Sequence, residues 1–176
     1  MRKLIKNGQI VEDRWTVLPK AEDASHTVVP EGQVIVPLSV WIAQEEALSQ
    51  REDVAVWIDS DEEIETLAEK VQRFPLIAVN FPSFRDGRGY STARLLRERY
   101  DYTGEIRAIG DVLQDQLFYM HRCGFNSFAL REDRSPEKAL AALRTFTESY
   151  QAAFDQPLPL FRRRAAQGTE KLARTA

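Results

Sequence analysis

Five short apolar runs, each followed by a stretch of helical character, constrain the fold of this chain more than any other feature. They cover residues 33–36, 54–58, 76–79, 105–109 and 128–130. Val54-Ala55-Val56-Trp57-Ile58 has no polar residue to offer water, as expected of a strand covered on both faces. Between the runs, Ser39 can cap a helix over 40–50. Ser60 or Asp61 can cap another, in which Ile64, Leu67, Ala68 and Val71 keep helical spacing. Further helices are expected at about 91–100 and 112–122, with Gly124 placed to end the second. Ser135-Pro136-Glu137 opens a last one, running to about residue 153.

Strands separated by helices of this length imply a parallel sheet with right-handed crossovers. The chain therefore reads as a single α/β domain over 1–156, with about five parallel strands. An open doubly wound sheet and a partial β/α barrel both accommodate that count. A short N-terminal hairpin over 1–18 precedes them. Its signal is Asn7-Gly8 between Leu4-Ile5 and Ile10-Val11, because a type I′ turn needs positive φ at both central residues. After Gln156, Pro157, Pro159 and a basic run predict a loosely ordered tail over 157–176.

The formal net charge of −3 supplies no basic field for nucleic acid or an anionic membrane. No segment reaches the roughly 20 apolar residues needed to span a bilayer. No apolar stretch of signal-peptide length follows the first basic residues. One cysteine, Cys123, permits no intrachain disulfide, which suits a reducing compartment. We expect a cytoplasmic protein.

The densest chemistry lies in Asn80-Phe81-Pro82-Ser83-Phe84-Arg85-Asp86-Gly87-Arg88-Gly89-Tyr90-Ser91, at the carboxyl end of the third expected strand. Ligands of open α/β sheets bind beyond the carboxyl ends of strands. Gly87 and Gly89 allow close backbone approach and positive φ. Ser91 or Thr92 opens a helix whose free N–H groups can receive an anion. Arg85 and Arg88 add guanidinium forks suited to an oxyanion, and Phe81 and Phe84 flank them. The same residues also describe a plain tight turn, with Arg85 and Arg88 solvated or paired to Asp86 and with Arg94 and Arg97 decorating an exposed helix face. The segment lacks both the Gly-Lys-Ser/Thr ending of a phosphate loop and the spacing of a dinucleotide loop.

A second cluster, Gly110-Asp111 to Asp115-Gln116, leaves the fourth strand at the same sheet edge. Asp111 and Asp115, four apart on a helix, share a face. They can face the arginines and move a proton, or serve as a helix cap and a surface acid. His121 and Cys123 are two apart, so they share no helix face. The only other histidine is His26, and no metal site is expected. A thiol at a helix C-terminus is not activated by the dipole.

These stretches resemble an uncharacterised bacterial family. The resemblance rests on residues 80–91, on Ala93-Arg94-Leu95-Leu96-Arg97, on Gly104 to Leu113 with Asp115-Gln116, and on Arg122-Cys123-Gly124-Phe125. It extends over about 34–150 and is densest over 81–125. Family positions present here include Phe84, Asp86, Gly87, Arg88, Gly89, Ser91, Arg94, Arg107, Gly110, Asp111, Asp115, Gln116 and Arg122. Members are often labelled as oxidoreductases of sulfite reduction, because their genes lie beside those of sulfite reductase and sulfate assimilation. The resemblance thus implies an accessory protein of sulfite reduction, acting with sulfite reductase or its electron donor. No cofactor is expected, since one cysteine cannot hold an iron–sulfur cluster. The alternative is an enzyme acting on a small anionic or phosphorylated compound. There Arg85 and Arg88 hold the anion, Asp86, Gly87, Gly89, Ser91, Arg94 and Gln116 surround it, and Asp111 or Asp115 does the proton chemistry.

Overall fold

The computed structural model describes residues 2–173, with side chains to residue 166; Arg174 of the tail lies outside the described residues. Strands β1 (Lys3–Lys6) and β2 (Gln9–Glu12) form the expected hairpin, with φ of 50° at Asn7 and 72° at Gly8. The chain continues through β3 (Thr16–Val17), β4 (Val34–Pro37), α1 (Leu38–Ala43), α2 (Glu45–Leu48) and β5 (Val54–Ile58). Then come β6 (Leu76–Phe81), α3 (Arg88–Glu98), β7 (Glu105–Gly110), α4 (Leu117–Arg122), β8 (Ser127–Phe128), α5 (Pro136–Leu143) and α6 (Leu160–Ala173).

The eight strands of the described residues lie in one sheet, ordered β2-β1-β8-β7-β6-β5-β4-β3. From β3 to β8 neighbours are parallel and strictly sequential, while β1 pairs antiparallel with β8. A doubly wound sheet reverses its strand order at a switch point, and none occurs among the described residues. The doubly wound expectation is therefore corrected to the barrel-like one, with six parallel strands where five were expected. The extra strand is β3, which belongs to the far edge of the sheet and not to the hairpin.

The chain itself demonstrates the curl. The two edge strands are β2 and β3, yet only Asp13, Arg14 and Trp15 separate Glu12 from Thr16. Four residue steps reach about 14 Å at most. Eight flat strands would place their edges about 34 Å apart. The sheet must bend into a half-barrel that brings both edges close together.

Side chains alternate across this curl. Val36, Val56, Val79, Ala108 and Phe128 face outward onto Trp41, Leu96, Met120 and Ala139 of the helices. Ile35, Ala55, Trp57, Ala78, Ile109 and Ala129 face inward with Trp15. Both layers are buried, which explains why β4, β5 and β6 read as nearly unbroken apolar runs.

The helices are shorter than the sequence suggests. No α-helix forms between β5 and β6. Short 3₁₀ turns at Ile64–Leu67 and Val71–Arg73 replace it, burying Ile64, Leu67, Val71 and Phe74. The three-residue spacing inside each pair suits three residues per turn. The helix over 40–50 is split into α1 and α2, with Pro37 and not Ser39 at its start. The helix after Ser135 is capped as expected, with Ser135 accepting from the Lys138 N–H, but it stops at Leu143. Beyond it the chain is held in irregular form by buried Arg122, which donates to Ser149 Oγ, the Gln151 carbonyl and Asp155. The tail is not loose throughout: α6 occupies Leu160–Ala173, and Arg163 ties its start to Glu148 and the Ser149 carbonyl.

Candidate functional site

The turn after β6 and the turn after β7 leave neighbouring parallel strands, whose last pair is Phe81 with Gly110. Gly110 makes this close exit possible. Its φ is +91°, and an added Cβ would lie 2.4 Å from the Phe81 carbonyl oxygen. The Asp111 N–H then donates to that same carbonyl at 2.7 Å, so the second turn begins directly against the first.

Side chains of the second turn grip the backbone of the first at one residue. Asp111 Oδ2 accepts the Phe84 N–H at 3.0 Å, and Gln116 Nε2 donates to the Phe84 carbonyl at 3.1 Å. Both gripping groups are themselves held. Asp111 Oδ1 accepts from Arg131 at 3.0 Å, and Gln116 Oε1 accepts the Leu113 N–H at 3.0 Å. Phe84 is fixed through both its backbone polar groups while the residue as a whole stays 49% exposed. The Arg85 guanidinium carbon stands 5.6 Å from the centre of that ring, within cation–π range.

The rest of the arginine turn is occupied internally. Arg88 forms a two-point pair with Asp86, at 3.0 and 2.6 Å, and donates to Ser60 Oγ at 3.0 Å. Asp86 Oδ1 also accepts the Arg88 N–H at 3.2 Å. The hydrogen bonds from Arg88 hold the Asp86 carboxyl well below the usual range. Asp86 thus takes the place an external anion would occupy at the start of α3. The helix opens at Arg88, one turn earlier than Ser91 or Thr92, and Ser91 is an exposed residue of its first turn. Gly87 has φ of −89°, so the expected positive φ is absent there. Gly89 serves close approach: a Cβ would lie 2.9 Å from the Phe81 ring.

The two turns therefore converge, but their charges pair elsewhere. Arg88 is bound by Asp86, and Asp111 by Arg131. Asp115 is exposed and forms no ion pair among the described residues. Arg94 pairs with Glu98 at 2.9 Å on the surface of α3. Arg97 is buried, not decorative: it donates to the carbonyls of Gly124, Tyr102 and Gly104, and burial lowers its pKa. Cys123 is buried at the end of α4, and burial pushes its thiol up.

Sequence reasoning missed a second set of residues, at the mouth of the half-barrel. A cavity of about 490 Å³ lies over the carboxyl ends of β5, β6 and β7. Val17, Leu18, Pro19, Trp57, Ile109 and Ala129 supply its apolar wall. Asp59 on its rim accepts from Lys20 at 2.9 Å and from Asn80 at 3.0 Å. Burial raises the Asp59 carboxyl, but the bonds from Asn80 and Lys20 outweigh it and leave the pKa below its ordinary value. Arg107 lies two residue pairs further in, on the same face as Ile109, as the register Asn80↔Ile109 and Ala78↔Arg107 requires. It is 3% exposed and bonds Asp13 and Glu105, each at 2.8 Å. One signal was present: a charge at Arg107 in the middle of an apolar strand, which needs a partner when buried.

No curated protein and no solved structure matches the chain in comparison. A bacterial family of unknown function, DUF934, matches residues 55–161, which span both turns and the mouth from Trp57 to Ala129. The chain belongs to this family.

Proposed function

We propose that the protein is a cytoplasmic accessory factor of assimilatory sulfite reduction, docking through its Phe84–Arg88 turn onto sulfite reductase or its electron donor. The family resemblance set out above supplies the pathway. One observation carries the docking role: a half-exposed aromatic residue is clamped at both its N–H and its carbonyl by side chains of another loop. Interfaces draw most of their energy from a few aromatic and arginine anchors. Holding such anchors still beforehand removes part of the ordering cost of association. Phe84 with Arg85 upon it, beside the internally neutralised Arg88–Asp86 pair, fits that description.

An enzymatic role for the same turn has less support. It requires Arg88 to hold an anion that Asp86 and Ser60 already replace, and Asp111 to move a proton while it bonds Arg131 and Phe84.

The test is growth on sulfate as sole sulfur source. A deletion strain should grow poorly and be restored by the wild-type chain. Phe84→Ala combined with Arg85→Ala should fail to restore it at normal protein level, and should no longer co-purify the reductase. Normal growth of the deletion strain, or full rescue by the double variant, refutes the proposal.

A further inference from the structure

The mouth cavity is separate from the docking turn and raises its own question. Its volume, about 490 Å³, falls in the range of small-molecule sites, roughly 300–1,000 Å³. Three cations, Arg2, Lys20 and Arg107, line it against two carboxylates, Asp13 and Asp59. Lys20 is committed to Asp59, and Arg2 donates to the Leu130 carbonyl at 3.2 Å. Arg107 differs. Its Nε serves Glu105 and its Nη1 serves Asp13, but its Nη2 donates to no acceptor among the described residues. Nor is Nη2 among the buried side-chain atoms sealed from solvent without a partner. Arg107 is only 3% exposed and lines two spaces, the mouth and a neighbouring cleft bounded by Glu12, Asp13, Trp15 and Gln33, so the remaining access to Nη2 is from these. A solvent-accessible guanidinium nitrogen with no protein acceptor, on a side chain otherwise buried, is a donor open to a ligand.

We infer that the mouth of the half-barrel binds a small organic oxyanion, its charged end on Arg107 Nη2 and its apolar body against Trp57, Ile109 and Ala129. The body is required by the wall. A bare inorganic ion would leave the apolar lining unfilled, so no apolar burial would offset its desolvation or the nearby Asp13 carboxylate. A planar fork presenting a free N–H suits carboxylate, sulfonate and phosphate ends alike. Asp59, bonded to Asn80 and Lys20, keeps the rim polar.

The experiment is calorimetric titration of the full chain with benzoate, benzenesulfonate and phenyl phosphate. Sodium sulfate, phosphate and neutral benzyl alcohol form the comparison arms. At least one organic anion should bind saturably and at least tenfold more tightly than the inorganic ions or the alcohol. Val17→Trp, which fills the rim from an exposed edge-strand position, should weaken that binding at least tenfold with an unchanged circular dichroism spectrum. Arg107→Lys keeps the charge between Asp13 and Glu105 but removes the fork, and should erase the preference for anion over alcohol. If that variant unfolds, Val17→Trp carries the test. Absence of saturable binding by all three anions overturns the inference. So does equal binding of the alcohol, equal binding of the inorganic ions, or binding undiminished in Val17→Trp. None of these outcomes bears on docking through Phe84.

Discussion

Replacing Asp111 by alanine removes the main support of the Phe84 turn. Two interactions are lost, the charge-assisted bond from the Phe84 N–H and the pair with Arg131. A hydrogen bond to a charged group contributes about 1.5–3 kcal/mol, but the Phe84 N–H is exposed and can bond water instead, so the lower end applies. The Arg131 pair is partly solvated, and Arg131 retains Asp133 at 2.6 Å. A pair of that kind contributes about 0–1 kcal/mol. The expected loss is thus about 1–2 kcal/mol, which for a chain of this size lowers Tm by about 3–6 °C. Hydrogen exchange should speed up at residues 83–88 and stay unchanged in the strands. Phe84→Ala is the control: it removes an exposed ring, should cost under about 0.5 kcal/mol, and should leave exchange in the turn slow. If Asp111→Ala melts within 1 °C of wild type, taking about 1 °C as a ~0.3 kcal/mol effect, and exchanges identically at 83–88, the clamp is not holding the turn.

Three further outcomes follow from the same geometry. Gly110→Ala puts a Cβ 2.4 Å from a backbone oxygen at φ of +91°, so urea denaturation should show a loss of at least about 2 kcal/mol, or no folded protein. Arg107→Met strands the buried carboxylates of Asp13 and Glu105, at an expected loss of about 3–5 kcal/mol in the same assay, and a loss under about 1 kcal/mol would contradict a buried ion pair. Burial raises the Glu105 carboxyl, but Arg107 and Lys6 outweigh it and leave its pKa depressed; its stabilisation is therefore present above the unfolded-state value, about 4.3, and lost as pH falls through the lower folded value. Glu105→Gln should flatten the acid side of a pH–stability curve, and an unchanged slope there would refute the assignment.

Much of the architecture was legible because it depends on local chemistry. Asn7-Gly8 fixed the hairpin, Ser135-Pro136 the start of α5, and the apolar runs the strands from β4 to β8. The curl was not legible, since alternation of strand and helix is the same in sequential and doubly wound order. Its determinant is the three-residue link from Glu12 to Thr16, which matters only once each flanking strand is known to lie at an edge. Helix lengths failed where a distant side chain overrides local spacing, as Arg122 does for residues 149–155. The convergence of the two turns was readable from their shared sheet edge, but the pairing of their charges was not. Arg131, which takes Asp111, lies beyond β8, and Asp86 is close enough in sequence to satisfy Arg88 first. The mouth escaped notice because Asp13 and Arg107 are 94 positions apart.

The docking claim is tested most directly by hydrogen exchange of the purified protein with and without sulfite reductase and its electron donor. Added protection should fall on residues 83–88 and the neighbouring Gln116 segment, and Phe84→Ala should abolish it. Protection confined to another face, or none with either partner at concentrations well above those in the cell, would contradict the account.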